Sequence, residues 1–225
     1  MLAISVNFQQ FGISAYPAGA AAEARSGFIT ALYVVFVPLL SFFFGKKVSP
    51  VIWASVAVAV VGFYMLCLSG GISGIYTADI LVFICAFCFA GQIISVDKFV
   101  GLTGGVKLSV MQFTVAGALS AVFAVIFERP TMENIIAAAP QILYLGIVSS
   151  GVGYTLQIVG QKYAEPSVAS LSMSLESVFA ALGGWLISGN TLTGREFIGS
   201  ALVFAAIIVA QIPEMAGSRK KANSP

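Results

Sequence analysis

The sequence predicts an all-α membrane protein, a bundle of about seven to eight transmembrane helices. Of its 225 residues, 59% are hydrophobic and only 9% are charged, whereas ordinary soluble domains carry about 25% charged residues. Seven apolar stretches approach the ~20 residues that an α-helix needs to cross the ~30 Å hydrocarbon core. They are longer than the ~10 alternating residues of a barrel strand, so helices must satisfy the backbone polar groups. The stretches are residues 28–44, 51–68, 80–96, 108–127, 141–160, 167–188 and 197–212.

Residues 1–18 form a weaker eighth candidate, because Asn7, Gln9 and Gln10 make the segment polar. We interpret it as the end of a helix. It has neither the basic start nor the small-residue cleavage site of a secretory signal peptide. We therefore expect the apolar helices themselves to direct membrane insertion.

The stretch 28–44 contains a proline, which can kink a helix. Pro38 removes one backbone hydrogen bond from this helix, which membrane helices tolerate where neighbours satisfy the freed carbonyl. Tyr33 lies five residues before the proline. In contrast, 51–68 and 197–212 contain almost no polar residues, which favours a role as lipid-facing scaffold.

The next two helices each contain one glutamine. Gln92 interrupts the apolar run 80–96, and Gln112 lies in the first turns of the following helix. Cys85 and Cys88 form a CxxC motif, which in a soluble βαβ unit would indicate redox chemistry. Inside an apolar membrane helix, however, the motif favours packing.

Small and polar residues share one face of the predicted helix 141–160. The face comprises Gly146, Ser150, Gly153, Gln157 and Gly160. Small residues let a neighbouring backbone approach closely. Tyr154, Gln157 and Gln161 lie beside this stripe, so they can face a ligand or act as polar contacts between helices, each worth only ~0.6 kcal/mol.

The helix 167–188 carries an acid, Glu176, in its middle. Ser172 and Gly183 share its face, and a separate stripe of small residues is available for packing. A charge at the helix centre costs about 3 kcal/mol, so this face must meet the bundle interior or a wet cavity. A structural carboxyl that is protonated or hydrogen-bonded to another helix is the alternative to a functional site. The packing stripe is Ser170, Ser174, Ser177, Ala181 and Gly184.

The chain contains no histidine. Without histidine, the chain can have no Ser-His catalytic pair, no imidazole metal ligand and no histidine proton relay. No nucleophile–base pair stands out among the other residues either. We therefore expect no enzyme, and we predict neither a cofactor nor a metal.

Loop charges predict the topology. Eight basic residues fall on one side of the membrane and three on the other. The richer side is cytoplasmic by the positive-inside rule, which places the tail 213–225 in the cytoplasm. The net charge of +2 therefore reflects topology and predicts no nucleic-acid surface. The eight are Lys46, Lys47, Lys98, Lys107, Lys162, Arg219, Lys220 and Lys221, and the three are Arg25, Arg129 and Arg195.

An internal repeat links residues 25–50 with residues 168–194. LYVVFVPLL, from Leu32 to Leu40, aligns with LESVFAALG, from Leu175 to Gly183, at an offset of 143 residues. The copies lie five predicted helices apart, and an odd count inverts the second copy relative to the first. Inverted repeats are typical of secondary transporters, whose substrate sites lie near the midplane at the repeat interface.

At these residues the chain resembles the EamA-type family of the drug/metabolite transporter superfamily. The resemblance implies a ten-helix fold of two inverted five-helix halves (5+5), with both termini cytoplasmic and a central cavity between the halves. It also implies that the first two helices and part of the third are missing here. The segments that carry it are 25–47, 89–99, 107–113, 149–171 and 174–185.

The resemblance predicts the domain organisation and the site. Residues 1–70 would be the C-terminal part of an incomplete first EamA repeat, 78–212 the second repeat, and 213–225 the cytoplasmic tail. The cavity would lie among helices that already carry the polar residues noted above. The expected substrate-binding residues are Tyr33, Gln92, Tyr154, Gln157, Ser172 and Glu176.

Our leading functional hypothesis is a secondary transporter of small metabolites or drugs in the inner (plasma) membrane, working by alternating access. Glu176 would contact a cation, a proton or a substrate amine. The expected partners are a small-molecule substrate and the lipid bilayer, without nucleic acid, and a homodimer stays open. The alternative is a non-transporting integral membrane subunit or scaffold, or an inactive transporter fragment.

Overall fold

The computed structural model describes residues 1–17, 22–67, 76–128, 130–179 and 193–222, and all regular elements within these ranges are helical. Two π-helical segments, Ala124–Glu128 and Tyr144–Tyr154, follow α6 and α8, and residues 175–179 form a further helical turn. The α-helices are α1 Leu2–Ser14, α2 Ala22–Ala31, α3 Tyr33–Phe43, α4 Pro50–Cys67, α5 Thr77–Thr103, α6 Gly105–Phe123, α7 Met132–Ala137, α8 Ala139–Leu143, α9 Thr155–Gln161, α10 Pro166–Met173 and α11 Gly194–Ala222.

Five helical stretches in these ranges are long and apolar enough to cross a membrane. They confirm the predicted all-α membrane class and match five of the seven predicted spans. The predicted span 51–68 corresponds to a shorter apolar helix, Pro50–Leu66, and residues 180–188 of the span 167–188 lie outside the described residues. The five spans are Arg25–Phe43, Thr77–Thr103, Gly105–Phe127, Ala139–Gln161 and Gly194–Ile212.

The described part of the chain has a helix near each of its ends. Residues 1–18, interpreted as the end of a helix, contain α1, which runs antiparallel to α5 with Gly12 against Val82 and Met1 beside Gly91. Asn7, one of the polar residues of α1, donates a hydrogen bond to Ser120 Oγ of α6 at 3.0 Å. At the other end, the backbone of α11 continues as a helix to Ala222, into the predicted tail.

Two helices break at corresponding points of the sequence repeat. Leu32 separates α2 from α3, and Ser174 separates α10 from the next helical turn. Both breaks are tightened turns: Val35 N–H donates to Leu32 O at 2.9 Å, and Ser177 N–H donates to Ser174 O at 3.2 Å. Leu32 and Ser174 are 142 residues apart, one residue from the offset of the sequence repeat. Each repeated segment therefore contains a discontinuous helix.

The span that contains Pro38 is interrupted six residues before the proline, at Leu32. Pro38 is buried inside α3. A proline within a helix has no N–H to donate and crowds the carbonyl four residues earlier. That carbonyl belongs to Val34, which follows Leu32 by two residues, so the break and the hydrogen bond lost at the proline lie within one turn of each other.

Helices α4 and α11 cross at two glycines, Gly62 and Gly199. A methyl group on Gly62 would lie 2.8 Å from the oxygen of Gly199, and one on Gly199 would lie 2.7 Å from the oxygen of Gly62. The backbones are therefore in direct contact, and Phe63 and Val203 beside them belong to the main hydrophobic core. The two segments that we expected to be lipid-facing scaffold expose one face and build the core with the other.

We expect Gly62→Ala and Gly199→Ala to lower the free energy of unfolding by about 1–3 kcal/mol each, because the added methyl group overpacks the crossing. Gly101→Ala in α5 is the matched control, since nothing lies within 4 Å of a methyl group there. Thermal unfolding in detergent measures all three variants. Equal melting temperatures would contradict the direct backbone contact.

The hairpin from α6 to α9 is mostly exposed apolar surface. No residue is buried in the most apolar window of Gly105–Phe127, and only 6% are buried in that of Ala139–Gln161. The close packing expected along the glycine stripe is absent among the described residues, since a methyl group on Gly146 or Gly160 would meet nothing within 4 Å. The stripe is also not regular, because Tyr144–Tyr154 is wound as a π-helix. Its i→i+5 bonds change the turn, so residues seven apart no longer share one face.

Candidate functional site

A polar cavity of about 100 Å³ lies where α1, α2, α3, α5 and α9 meet the second helix break. Its lining includes five of the six predicted substrate-binding residues, although they come from four separate stretches of the chain. The full lining is Gln9, Thr30, Tyr33, Phe89, Gln92, Ile93, Tyr154, Gln157, Met173 and Glu176.

The helix breaks place two of these residues. Tyr33 is the first residue of α3, directly after the break at Leu32, and Glu176 follows the break at Ser174 by two residues. The two residues are equivalent in the sequence repeat, at the offset of 143. The corresponding breaks therefore bring a phenol and a carboxylate from the two copies to the same cavity.

The amides of the cavity are held by their neighbours. Gln92 is 2% exposed in the middle of α5, and its Nε2 donates to Gln112 Oε1 of α6 at 3.1 Å. Gln157 Nε2 donates to Met173 Sδ at 3.3 Å. The ring of Tyr154 packs edge-on against Phe113, with 5.9 Å between the ring centroids. These contacts orient Gln92, Gln157 and Tyr154.

Glu176 is the acidic group of the cavity, and its side chain is exposed. Among the residues that the structure describes, none donates a hydrogen bond to its carboxylate and none forms an ion pair with it. The alternative of a carboxyl tied to another helix therefore has no partner in the described part of the chain.

Ser172 does not line the cavity. The expectation placed it on the face of Glu176 by assuming one continuous helix over 167–188. The break at Ser174 changes the register between the two residues, so that Met173 takes the place beside Glu176. Ser172 remains a half-buried residue of α10.

Five lining residues were not predicted. Phe89 was detectable in principle, because it precedes Gln92 by three residues and residues three apart border the same surface of a helix. Ile93 directly follows Gln92, and adjacent residues do not share a helix face. Gln9 stood out as a polar residue in α1, and Thr30 lies one turn before Tyr33. Nothing in the sequence singles out Met173.

Other candidate chemistries receive no support from the described residues. Cys85 is buried and Cys88 half-buried, both as free thiols outside the cavity lining. The described ranges contain no cluster of three residues suited to hold a metal ion. A larger groove of about 390 Å³ lies between α1, α5 and α6, but mostly apolar side chains line it. The smaller, polar cavity is therefore the candidate site.

The described lining offers groups that suit binding of a polar ligand. One carboxylate, two phenols, three amides and a threonine hydroxyl offer a negative charge and many hydrogen bonds. The volume is below the ~300–1,000 Å³ of common ligand pockets, so this conformation accommodates a small polar group.

Comparisons with known proteins agree with this architecture. The family model of the EamA-like transporter family matches residues 76–211. An uncharacterized transporter from Archaeoglobus fulgidus is 32% identical over 189 residues, which cover 84% of this chain and 60% of that protein. A second uncharacterized transporter from the same organism is 33% identical over 66 residues, 29% of this chain and 24% of its own length.

A crystal structure of another protein shares the fold. It superposes with a TM-score of 0.73 over 93% of this chain and 74% of that chain, at 20% sequence identity. The chain spans about 60% of the length of the first relative. Because the family model covers more than half of the chain, this multi-pass helical membrane protein belongs to the EamA-like transporter family.

Proposed function

We propose that this protein works in a secondary transporter that moves small metabolites or drugs across the inner membrane by alternating access. The observation that carries the proposal is the carboxylate of Glu176, which lines a polar cavity inside a membrane bundle without a described partner. A charge near the centre of a membrane helix costs about 3 kcal/mol, and such residues commonly mark ion or substrate pathways.

The substrate or a coupling ion would supply the positive charge that the cavity lacks. Tyr33, Tyr154 and Gln157 surround Glu176 with hydrogen-bonding groups and no described cation. The negative charge of this carboxylate would be neutralised by a protonated amine, a metal cation or a proton. The phenols and amides would then orient the uncharged part of the substrate.

The small cavity also supports a conformational cycle. At about 100 Å³ it is contracted relative to pockets that enclose a metabolite or a drug. Loading would have to widen it. The two helix breaks at its edge are the places where the backbone can adjust without unfolding a complete helix.

The internal repeat supports an inverted-repeat organisation. We assign residues 1–70 to the C-terminal part of a first repeat and residues 78–212 to a second. The helix pair α4 and α11, whose glycines touch, would join the two repeats. Further helices would complete the cavity wall, as the greater length of the relative suggests.

Flux into reconstituted vesicles tests the proposal. Vesicles containing the chain, alone or joined to the unmatched part of the A. fulgidus relative, are loaded with a pH-sensitive dye. They are then exposed to labelled amino acids and to the cationic dye ethidium. Substrate-dependent proton or label movement supports transport, whereas a folded protein that moves none of these probes favours a non-transporting membrane subunit.

We expect the C-terminus to be cytoplasmic, because basic residues concentrate on the side that contains it. A reporter fused after Pro225 should be active only in the cytoplasm. A second reporter inserted after Arg129 should show the opposite activity and serves as the control. The reverse result at both positions would overturn the topology.

A further inference from the structure

A second cluster of polar side chains lies buried outside the cavity. Asp79 at the start of α5 accepts hydrogen bonds from Arg25 Nη2 at 2.6 Å, Arg25 Nε at 3.3 Å, Tyr16 Oη at 2.6 Å and the N–H of Tyr76 at 2.8 Å. The Arg25–Asp79 pair is bidentate, the strongest geometry for such a pair. We refer to Tyr16, Arg25, Tyr76 and Asp79 as the Arg25 cluster.

The Arg25 cluster is shielded from solvent. Arg25 is 6% exposed and Asp79 is 8% exposed. The guanidinium also lies over the ring of Tyr76, with 4.7 Å to the ring centroid, a cation–π contact. A buried pair of this kind resists separation, because either partner alone would keep an uncompensated charge.

The cluster joins three elements that also line the cavity. Tyr16 follows α1, Arg25 belongs to α2, and Asp79 belongs to α5. At 1.5 Å per helical residue, Thr30 of the cavity lies about 7.5 Å along α2 from Arg25, and Phe89 about 15 Å along α5 from Asp79. The Arg25 cluster therefore ties the cavity helices together a few turns to one side of the cavity.

A weaker ion pair lies toward the opposite end of α5 and ties that helix to the segment after α3. Lys46, after α3, contacts Asp97 near the end of α5 at 2.5 Å. Their side chains are 50% and 24% exposed, so water competes with this pair. Asp79 and Asp97 are about 27 Å apart along the helix, close to the ~30 Å of the hydrocarbon core. The two pairs thus lie near opposite membrane faces and differ in strength.

We propose that the Arg25 cluster is a gate that keeps the cavity closed toward the membrane face on which Arg25 lies. Alternating access requires α1 and α2 to separate from α5 on that side, and the cluster is the contact that must open. The half-exposed Lys46–Asp97 pair releases more easily, so the cavity opens first toward the other face. The gate rests on the proposed transport function, but its state can be measured without any flux.

The rate of thiol labelling at position 30 measures whether the gate is open. The side chain lines the cavity, and Thr30→Cys changes its shape little. The variant is made in a chain whose three natural cysteines are alanine. A membrane-impermeant maleimide is then added to right-side-out and to inside-out vesicles, and the labelling rate from each face is measured.

With the Arg25 cluster intact, labelling from the Arg25 face should be slow. Asp79→Asn should raise that rate at least tenfold, whereas Asp97→Asn, the matched control on the same helix, should leave it unchanged. Tyr16→Phe removes one hydrogen bond and keeps the ion pair, so it should give an intermediate rate. An unchanged rate in a folded Asp79→Asn variant would overturn the gate.

If Asp79→Asn does not fold, Tyr16→Phe decides, and an unchanged rate in that variant overturns the proposal. Equal acceleration by Asp97→Asn from the Arg25 face would also overturn it, because the effect would then be general loosening. Absent flux together with the expected labelling pattern would reject the transport function and keep the gate. Normal flux with an unchanged labelling rate would reject the gate and keep the transport function.

Discussion

Glu176→Gln is expected to abolish coupled flux while leaving the fold intact. The amide is nearly isosteric and still forms hydrogen bonds, but it can neither pair with a cation nor carry a proton. A charge-assisted contact contributes about 1.5–3 kcal/mol, which corresponds to ~10- to 150-fold in affinity for a cationic ligand. Flux into vesicles and the melting temperature are measured together for each variant.

The control for Glu176→Gln is Ser172→Ala, one turn earlier and outside the cavity lining. This control should retain both flux and stability. If the carboxylate is only structural, Glu176→Gln should change little and Glu176→Ala should lower the melting temperature first. Wild-type flux of Glu176→Gln at normal protein levels would remove the residue from the site.

Asp79→Ala is expected to lower the free energy of unfolding by about 3–5 kcal/mol, because it leaves the buried guanidinium of Arg25 without its carboxylate. Asp97→Ala removes the acid of the half-exposed pair on the same helix and should cost at most ~1 kcal/mol. Thermal unfolding in detergent compares the two variants with the unmodified protein. Similar losses of unfolding free energy in the two variants would show that the buried ion pair stabilises the fold no more than the half-exposed one.

The membrane class and the main spans followed from the sequence because hydrophobic length is a direct physical requirement of the bilayer. Most of the candidate site followed for a related reason. Polar residues such as Gln92 and Glu176 are costly in lipid, so each had to face the interior. If the helices form a closed bundle, residues that face its interior lie near one another, and both line the same cavity.

The parts that could not be predicted depend on local winding and on distant partners. The break at Ser174 has no proline or glycine beside it, and the glycines of Tyr144–Tyr154 do not by themselves predict a π-helix. Both features rotate the faces inferred from a regular helix. Arg25 was counted as a loop charge, yet it is buried beside Asp79, 54 residues later. No sequence pattern pairs two such distant residues.

The duplicated helix break also has a consequence for local opening of the backbone. Val35 and Ser177 donate to tightened turns beside a polar cavity, whereas the amides of α4 belong to an uninterrupted helix that packs in the core. Backbone bonds near water open at lower free energy than those in a packed core. In deuterated solvent, the amide protons at both breaks should therefore exchange before those of α4, and at similar rates in the two copies.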